Sequence, residues 1–490
     1  MEQEMSEQQR KWVLVAIFMA TFMSSVEITV VTTALPTIIG DLNGIAMQSW
    51  VFTAYLLATA ITTPIYGKLA DQLGRKPVFI AGLVFFTGGS LLCGLAPNMI
   101  TLIMARTVQG LGAGAIMPIT NTLIADMFSN QQRAKMLAFN NTAWGISALV
   151  GPMLGGFLVD QFNWHWIFFI NVPLGLVVLI LILSFYRETK PANQAGTFVF
   201  DLKGSSLLAL FLISLLLAFQ ALGAQRVNWV AESLLLLVCI LSAWSFLQVE
   251  RQVANPIIDL TIFKNQTFSI QILTALLLSG VQFGFQVYFP AWLQAIYHLP
   301  AALAGLVVTP GPIMWLVSSF LVGGLLRRFA PKYISMVAII ILMVAYLPLA
   351  LVEQLPIWYF YLVAGISGAG VGLVITANTV VSQQIVGNQR IGMASSMLTL
   401  GRTLGQTILT GSYGLIFNLS VGLQVKHYPQ IHLAMLNQFV DGAGHFTSQV
   451  QTLLSQMVLQ AYHHIYALVI VVLVLAWLVN LRDPQHEIVQ

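Results

Sequence analysis

One carboxylate set within an otherwise apolar run is the first feature of this sequence that could do chemistry. Glu27 lies in MSSVEITVVTTALP, residues 23–36, inside an apolar stretch from Trp12 to Ile39. Placing a charge in hydrocarbon costs at least about 2.5 kcal/mol, so such an acid faces a bundle interior or a wet cavity and works on ions or substrate. A second charge is buried the same way. Arg106 opens RTVQGLGAG in a later apolar run, and a buried guanidinium needs a partner. Glu27 is the one acid well inside the first six runs, so the economical expectation is a coupling between the two, direct or through water. Backbone carbonyls, Gln109 or Asn121 are the alternative partners of Arg106.

A third group of charges sits between apolar runs. GKLADQLGRKP places Gly67, Asp71, Gly74, Arg75 and Lys76 in one short stretch. It reads as a turn whose Asp71 accepts hydrogen bonds from a neighbouring helix amino terminus while Arg75 pairs across an interface, latching an inner gate. A turn that only anchors topology explains the basic residues but not the acid and the paired glycines. Further on, WGISALVGPMLGG carries Gly151, Pro152, Gly155 and Gly156, a smooth and slightly kinked surface suited to tight packing against the other half of the molecule.

The elements that must hold these residues are membrane helices. Of 490 residues 58% are hydrophobic and 8% charged, and the mean hydropathy is +0.83, which excludes a soluble globular domain. Runs of about 20 apolar residues begin near Trp12, Ser49, Val78, Met99, Met136, Trp164, Ser205, Val230, Thr267, Ala302, Tyr333, Ile357, Met393 and Ala461, predicting fourteen spans. The first is read as a retained helix, since no small-residue cleavage site follows it.

With a cytoplasmic amino terminus, the inside loops hold Lys68, Arg75, Lys76, Arg133, Lys135, Arg187, Lys190, Lys203, Arg251, Lys264, Arg327, Arg328, Lys332 and Arg390, against Arg226 and Lys426 outside. Both termini are therefore expected in the cytoplasm, and the basic balance needs no nucleic acid to explain it. Cys93 and Cys239 lie in separate runs, which argues against a disulfide or metal cluster. The long outside segment, Asn418 to Gln460, carries His427, His432 and His445 without ligand-like spacing, so no metal site is expected there.

The chain repeats itself. Gly67 has an echo at Gly323 in GGLLRRFAPK, Gly110 at Gly368 in GAGVG, and Arg133 at Arg390 in GNQRIGM, at offsets of 256, 258 and 257. Three agreeing offsets argue for two homologous halves of six helices in the same orientation, with two helices inserted between them and substrate bound at the midplane. Under this repeat Asp71 corresponds to Arg327 and Glu27 to Gly284, so ionisable chemistry is concentrated in the first half.

With EITVVTTALP, GKLADQLGRKP, ARTVQGLGAG, SALVGPMLGG, WHWIFFINVPLG, FDLKG and LGRTLGQ in this order, the chain resembles the fourteen-helix drug:proton antiporter family of the major facilitator superfamily. The resemblance implies an all-α polytopic membrane protein of the major facilitator fold. Two six-helix bundles, residues 1–190 and 263–490, would flank a linker and two inserted helices in 191–262. It implies multidrug efflux across the cytoplasmic (inner) membrane, with protons as coupling ion, no other cofactor and no catalytic residues, and the glycine pattern at Gly151 resembles that of exporters. Two positions depart from the family pattern. Glu27 stands where the family has Asp, and Thr32 where it has Asn.

A single acid bounds the stoichiometry at about one proton per cycle. A potential of 100 mV is worth about 2.3 kcal/mol per charge and one pH unit about 1.4 kcal/mol. A neutral substrate would gain both, about 3.7 kcal/mol or several hundredfold; a monovalent cation would gain roughly tenfold per pH unit. Neutral or monocationic amphiphiles are the expected cargo. The candidate substrate-cavity residues are Asn141, Trp144, Gln282, Phe285, Gln286, Asn378 and Arg402, a mix of aromatic surface and few polar groups. Arg402, with no acid nearby in sequence, could instead hold an anionic group. The partners expected are substrates and lipid, with a periplasmic adaptor protein and outer-membrane channel as partners that 418–460 would have to engage. A proton-coupled importer and a lipid or metabolite exporter share the fold and gate. An intramembrane enzyme would need a second buried acid or an HExxH motif, and the sequence has neither.

Overall fold

The computed structural model describes residues 5–42, 48–188, 201–222, 228–253, 256–258, 260–297, 299, 301–387, 390–428, 431, 435 and 447–484. The chain is helical throughout them: α1 Glu7–Leu42, α2 Gln48–Leu73, α3 Arg75–Gly94, α4 Met99–Met127, α5 Asn130–Gln161, α6 Trp166–Phe169, α7 Asn171–Phe185, α8 Leu202–Leu222, α9 Trp229–Gln252, α10 Gln266–Tyr297, α11 Ala301–Gly305, α12 Pro310–Leu326, α13 Pro331–Leu351, α14 Ile357–Val386, α15 Ile391–His427 and α16 Ser448–Leu481. In lipid every backbone group must be satisfied within the segment, and helices do this.

Eleven stretches among the described residues are long and apolar enough to cross a membrane, short of the fourteen expected. The inserted helix α8 contributes a shorter apolar stretch, Lys203–Phe219, and α2 and α5 fall outside the set. Both pack against the opposite half of the molecule, α2 on α15 and α5 on α12. Helix faces turned toward protein need not be apolar: α2 carries Thr59, Thr62 and Thr63, whose hydroxyls bond back to their own helix, and α5 carries Asn140 and Asn141.

α1 to α7 pack mainly among themselves, through the pairs α3 with α4, α2 with α4 and α1 with α5. α10 to α16 do the same, through α12 with α14, α10 with α15 and α13 with α16. The aromatic core of the second group, Phe285, Phe289, Trp292, Phe360, Tyr462 and Tyr466, is fully enclosed. α8 and α9 form a hairpin set against α15 and α2, where Leu208, Leu212 and Leu216 pack with Ala60, Met393 and Met397.

Two expectations change. Helix enters the segment 418–460 from both ends, α15 running on to His427 and α16 beginning at Ser448. Hydropathy marks where lipid ends, and backbone hydrogen bonding carries the helices further. The side chains of His427, His432 and His445, and residues 191–200 of the linker, lie outside the described residues. The second change is at the charged stretch. Gly67 to Leu73 belongs to α2, and the turn is reduced to Gly74, whose φ of 99° suits a residue without Cβ.

Candidate functional site

Glu27 and Arg106 meet. α1 brings the carboxylate and α4 the guanidinium to a Nη1 to Oε1 distance of 2.6 Å, with both residues at or below 1% exposure. An enclosed ion pair offsets its desolvation only when the remaining lone pairs and protons also find partners. Here most do. Asn171 Nδ2, at the start of α7, donates to Glu27 Oε2 at 2.6 Å and to Ser90 Oγ at 3.0 Å. Arg106 Nη1 also donates to Gln109 Oε1 at 2.7 Å, Arg106 Nε donates to the Val51 carbonyl at 3.1 Å, and the Tyr55 ring lies 4.3 Å from the guanidinium carbon. Gln109 Nε2 closes the network on Ser90 at 3.1 Å.

Both alternatives foreseen for Arg106 are therefore combined, since an acid, a side-chain amide and a backbone carbonyl hold it together. The arrangement has a chemical consequence. If Glu27 takes up a proton, Arg106 keeps Val51, Gln109 and the Tyr55 face, so the cation stays held while the tie to α1 weakens. Asn171, Ser90 and Tyr55 were not legible as parts of the site. Asn171 lies in WHWIFFINVPLG, where one amide in an apolar run is the only signal. Thr32 and Pro152 have side chains outside the described residues.

The charged stretch at the end of α2 joins the two halves. Asp71 Oδ1 accepts from the Gly392 N–H at 3.1 Å and Oδ2 from the Met393 N–H at 2.9 Å, both at the amino terminus of α15. A carboxylate there meets unpaired N–H groups and the positive end of the helix dipole. Arg75 pairs inside the first half, with Asp126 at 3.2 Å and Asp71 at 3.8 Å, and so orients the acid that crosses.

Glu188, absent from the sequence-based candidates, accepts from the backbone N–H groups of Arg75 and, at 3.2 Å, Lys76, capping α3. Lys76 Nζ in turn donates to the Tyr186 carbonyl at 2.7 Å. A Cβ on Gly74 would meet the Glu188 carboxylate within 3 Å, and one on Gly67 would stand 2.0 Å from Ser396 Oγ and 2.8 Å from the Gly392 carbonyl oxygen. Gly67 is thus where α2 and α15 come closest.

The glycines of α5 divide differently from expectation. Gly151 faces α1, where a Cβ would meet Thr29, and among the described residues nothing lies within 4 Å of one on Gly156. Gly155 is buried. The other half is reached by other residues of α5: Ala134 against Gly323, Asn141 Nδ2 donating to Thr376 Oγ1 at 3.2 Å, and Gly145 against the Pro312 carbonyl. These contacts, with those of Asp71, run from mid-helix to the end of the molecule bearing the basic loops.

The cavity candidates split as well. Phe285 is fully enclosed against Phe289 and Gly311 inside the second bundle. Asn378, at 1% exposure, donates to the Gln271 carbonyl at 3.0 Å. Both were expected at the cavity but lie in a helix-packing interior, where Phe285 packs on Phe289 and Asn378 Nδ2 finds a backbone acceptor within the second bundle. Trp144, Gln282, Gln286 and Arg402 are half-buried. Arg402 reaches across the seam, its Nη1 3.9 Å from Met117 Sδ and its guanidinium carbon 5.6 Å from the Trp315 ring centre.

With this geometry in view, the likenesses to other proteins fall into place. The family model described as Major Facilitator Superfamily matches residues 17–410. The chain is 33% identical over 428 residues to the multidrug transporter protein MdtP of Bacillus subtilis (strain 168), covering 86% of this chain and 78% of that protein. It is 29% identical over 410 residues to the multidrug efflux pump SdrM of Staphylococcus aureus (strain N315), covering 84% and 90%. Among solved structures it is similar to the human organic anion transporter MFSD10 (TM-score 0.61, 15% identity, 96% and 100% covered) and to the proton:xylose symporter XylE (TM-score 0.61, 12% identity, 97% and 96% covered). At such identity these two show the fold alone. A helical, multi-pass membrane protein in which α2 packs on α15 and α5 on α12, this chain belongs to the major facilitator superfamily.

Proposed function

We propose that the protein is a proton-coupled antiporter exporting amphiphilic small molecules, neutral or monocationic drugs among them, by alternating access. The enclosed Glu27–Arg106 pair carries this reading, because a carboxylate deep in the bundle with a pre-arranged, self-sufficient counter-cation is a site for a travelling proton. Relatives at about 30% identity are multidrug transporters and efflux pumps by name, which supports the direction and the cargo. We place fourteen spans in the cytoplasmic membrane with both termini inside, on the bias of Lys and Arg toward one set of loops. Engagement of an adaptor protein and outer-membrane channel would fall to the outer ends of α15 and α16.

The conformation supports an order of events. Asp71 on the α15 amino terminus and Gly67 against Gly392 seal the end bearing the basic loops, so the molecule stands closed to the cytoplasm. Glu27 is enclosed in this state, so drug and proton compete through helix packing rather than by touching. The connection runs along α1. Ser25 Oγ lies 2.5 Å from Ser147 Oγ, and Thr29 donates to the Ser147 carbonyl at 3.2 Å. This ties the helix bearing Glu27 to α5, and α5 is the seam helix against α12. Protonation of Glu27 loosens α1 from α4 and α7, α5 shifts with α1, and the seam changes its packing.

Sealed vesicles containing the purified protein test the reading. When ethidium, a monocation, is added outside, its entry is expected to release protons into the outer solution at about one per dye. Dye entry through the protein with no proton movement would contradict antiport.

A further inference from the structure

The seam between the halves holds enclosed hydrogen-bond donors with nothing to donate to. Among the described residues Arg402 Nε on α15 finds no hydrogen-bond partner, and neither does Trp315 Nε1 on α12 or Trp144 Nε1 on α5. The first two belong to one cluster, since the guanidinium carbon of Arg402 lies 5.6 Å from the Trp315 ring centre. Trp144 adjoins it along the α5–α12 contact, its neighbour Gly145 lying against the carbonyl of Pro312, three positions before Trp315.

Native proteins leave few buried donors unpaired, and an unpaired group therefore calls for an explanation. Arg106 differs in having a carboxylate: Glu27, Gln109 and the Val51 carbonyl hold its Nη1 and Nε, although its Nη2 also finds no partner among the described residues. Among the described residues no carboxylate lies within ion-pair distance of Arg402, and its one polar contact is the soft sulfur of Met117 at 3.9 Å. The hydroxyls of Thr403 and Thr407 turn back onto their own helix, donating to the Thr399 and Thr403 carbonyls. Donors and aromatic faces are present, and acceptors are missing.

We infer that this cluster is a substrate subsite for the anionic or acceptor-rich end of an aromatic amphiphile. A carboxylate, sulfonate or phenolate would sit on the Arg402 fork with the ring system against Trp315 and Met117. Arg402 suits this because its planar guanidinium binds such groups through two parallel hydrogen bonds and stacks on aromatic faces. The inference rests on the export reading and extends its cargo beyond neutral and monocationic molecules. A monoanion leaving against one entering proton moves two charges in the favourable sense. A potential of 100 mV then contributes on the order of two-thousandfold to the gradient, about fiftyfold per charge.

The test is a binding measurement without any gradient, so its outcome is independent of proton coupling. Isothermal titration of the detergent-solubilised full chain would use naphthalene-2-sulfonate and its trimethylammonium counterpart, which share a ring body and differ in charge. Arg402→Gln should weaken sulfonate binding roughly ten- to a hundredfold and leave the cation unchanged or tighter. Arg402→Lys, which keeps the charge but not the fork, should recover part of the loss. Trp315→Phe, which keeps the ring and removes the donor, should cost a few fold and guards against a variant that merely fails to fold. Equal sulfonate affinity in the parent, Arg402→Gln and Trp315→Phe proteins would overturn the inference, as would tighter binding of the cation than of the sulfonate by the parent. Neither result would touch the antiport reading, which fails separately if dye moves without protons.

Discussion

Replacing Glu27 by Gln is expected to abolish uphill export while leaving substrate binding in place. Gln keeps the shape and can still meet Arg106 and Asn171, but it holds no exchangeable proton, so the variant behaves as a permanently neutral site. In vesicles with an imposed pH gradient and potential, the parent should build a gradient of a neutral drug of up to several hundredfold, the limit set by one proton at about 3.7 kcal/mol. The variant should only equilibrate the drug. Because Arg106 keeps the Val51 carbonyl, Gln109 and Tyr55, the neutral side chain does not strand a buried cation, and the variant should fold. Uphill export retained in Glu27→Gln would remove this residue from the coupling step.

Gly67→Leu is expected to hold the cytoplasmic seam open. Its Cβ alone would stand 2.8 Å from the Gly392 carbonyl oxygen, a backbone atom that cannot turn aside as the Ser396 hydroxyl can. Pushing α2 from α15 also separates Asp71 from the N–H groups it accepts from. Export should fall at least about tenfold, since packed seams switch between discrete states and do not stretch. A cysteine at Met397, which is 4% exposed in the α2–α8–α15 cluster, should then react with a charged maleimide from the cytoplasmic side. In a Gly67 background the same cysteine should be protected. Equal protection in the two backgrounds, with full export, would show that the seam does not need this close approach.

The charges were the legible part of the site. Glu27 and Arg106 stand out because an ionised group among apolar residues has few places to go, and Asp71 because an acid among basic loop residues needs a separate reason. Of the neutral members only Gln109 was legible, as an alternative partner of Arg106. Asn171 and Ser90 complete the network, yet an amide or hydroxyl in an apolar helix can as well bond to its own backbone, as Thr59 and Thr62 do. Glu188 was hidden for another reason. It caps α3 from the end of α7, more than a hundred residues away, and the partner of a helix end is set by tertiary packing.

The repeat was informative about contacts as well as topology. Gly67 touches Gly392, and its counterpart Gly323 touches Ala134, so both halves use the same glycine to reach the start of a long helix in the other. They differ in that Asp71 holds the first of these seams by hydrogen bonds, while Arg327 takes its place at the second, where a cation is unsuited to a helix amino terminus. Which cavity candidates face substrate was not readable. Phe285 and Asn378 have the right chemistry, but helical spacing in a buried bundle does not tell an inner packing face from a cavity-lining one.

The central claim, that one proton on Glu27 is exchanged for substrate, is tested most directly by substrate-induced proton release from the purified protein in weakly buffered detergent solution. Addition of saturating ethidium should release close to one proton per molecule from the parent protein and none from Glu27→Gln. Equal release from the two proteins would contradict the account.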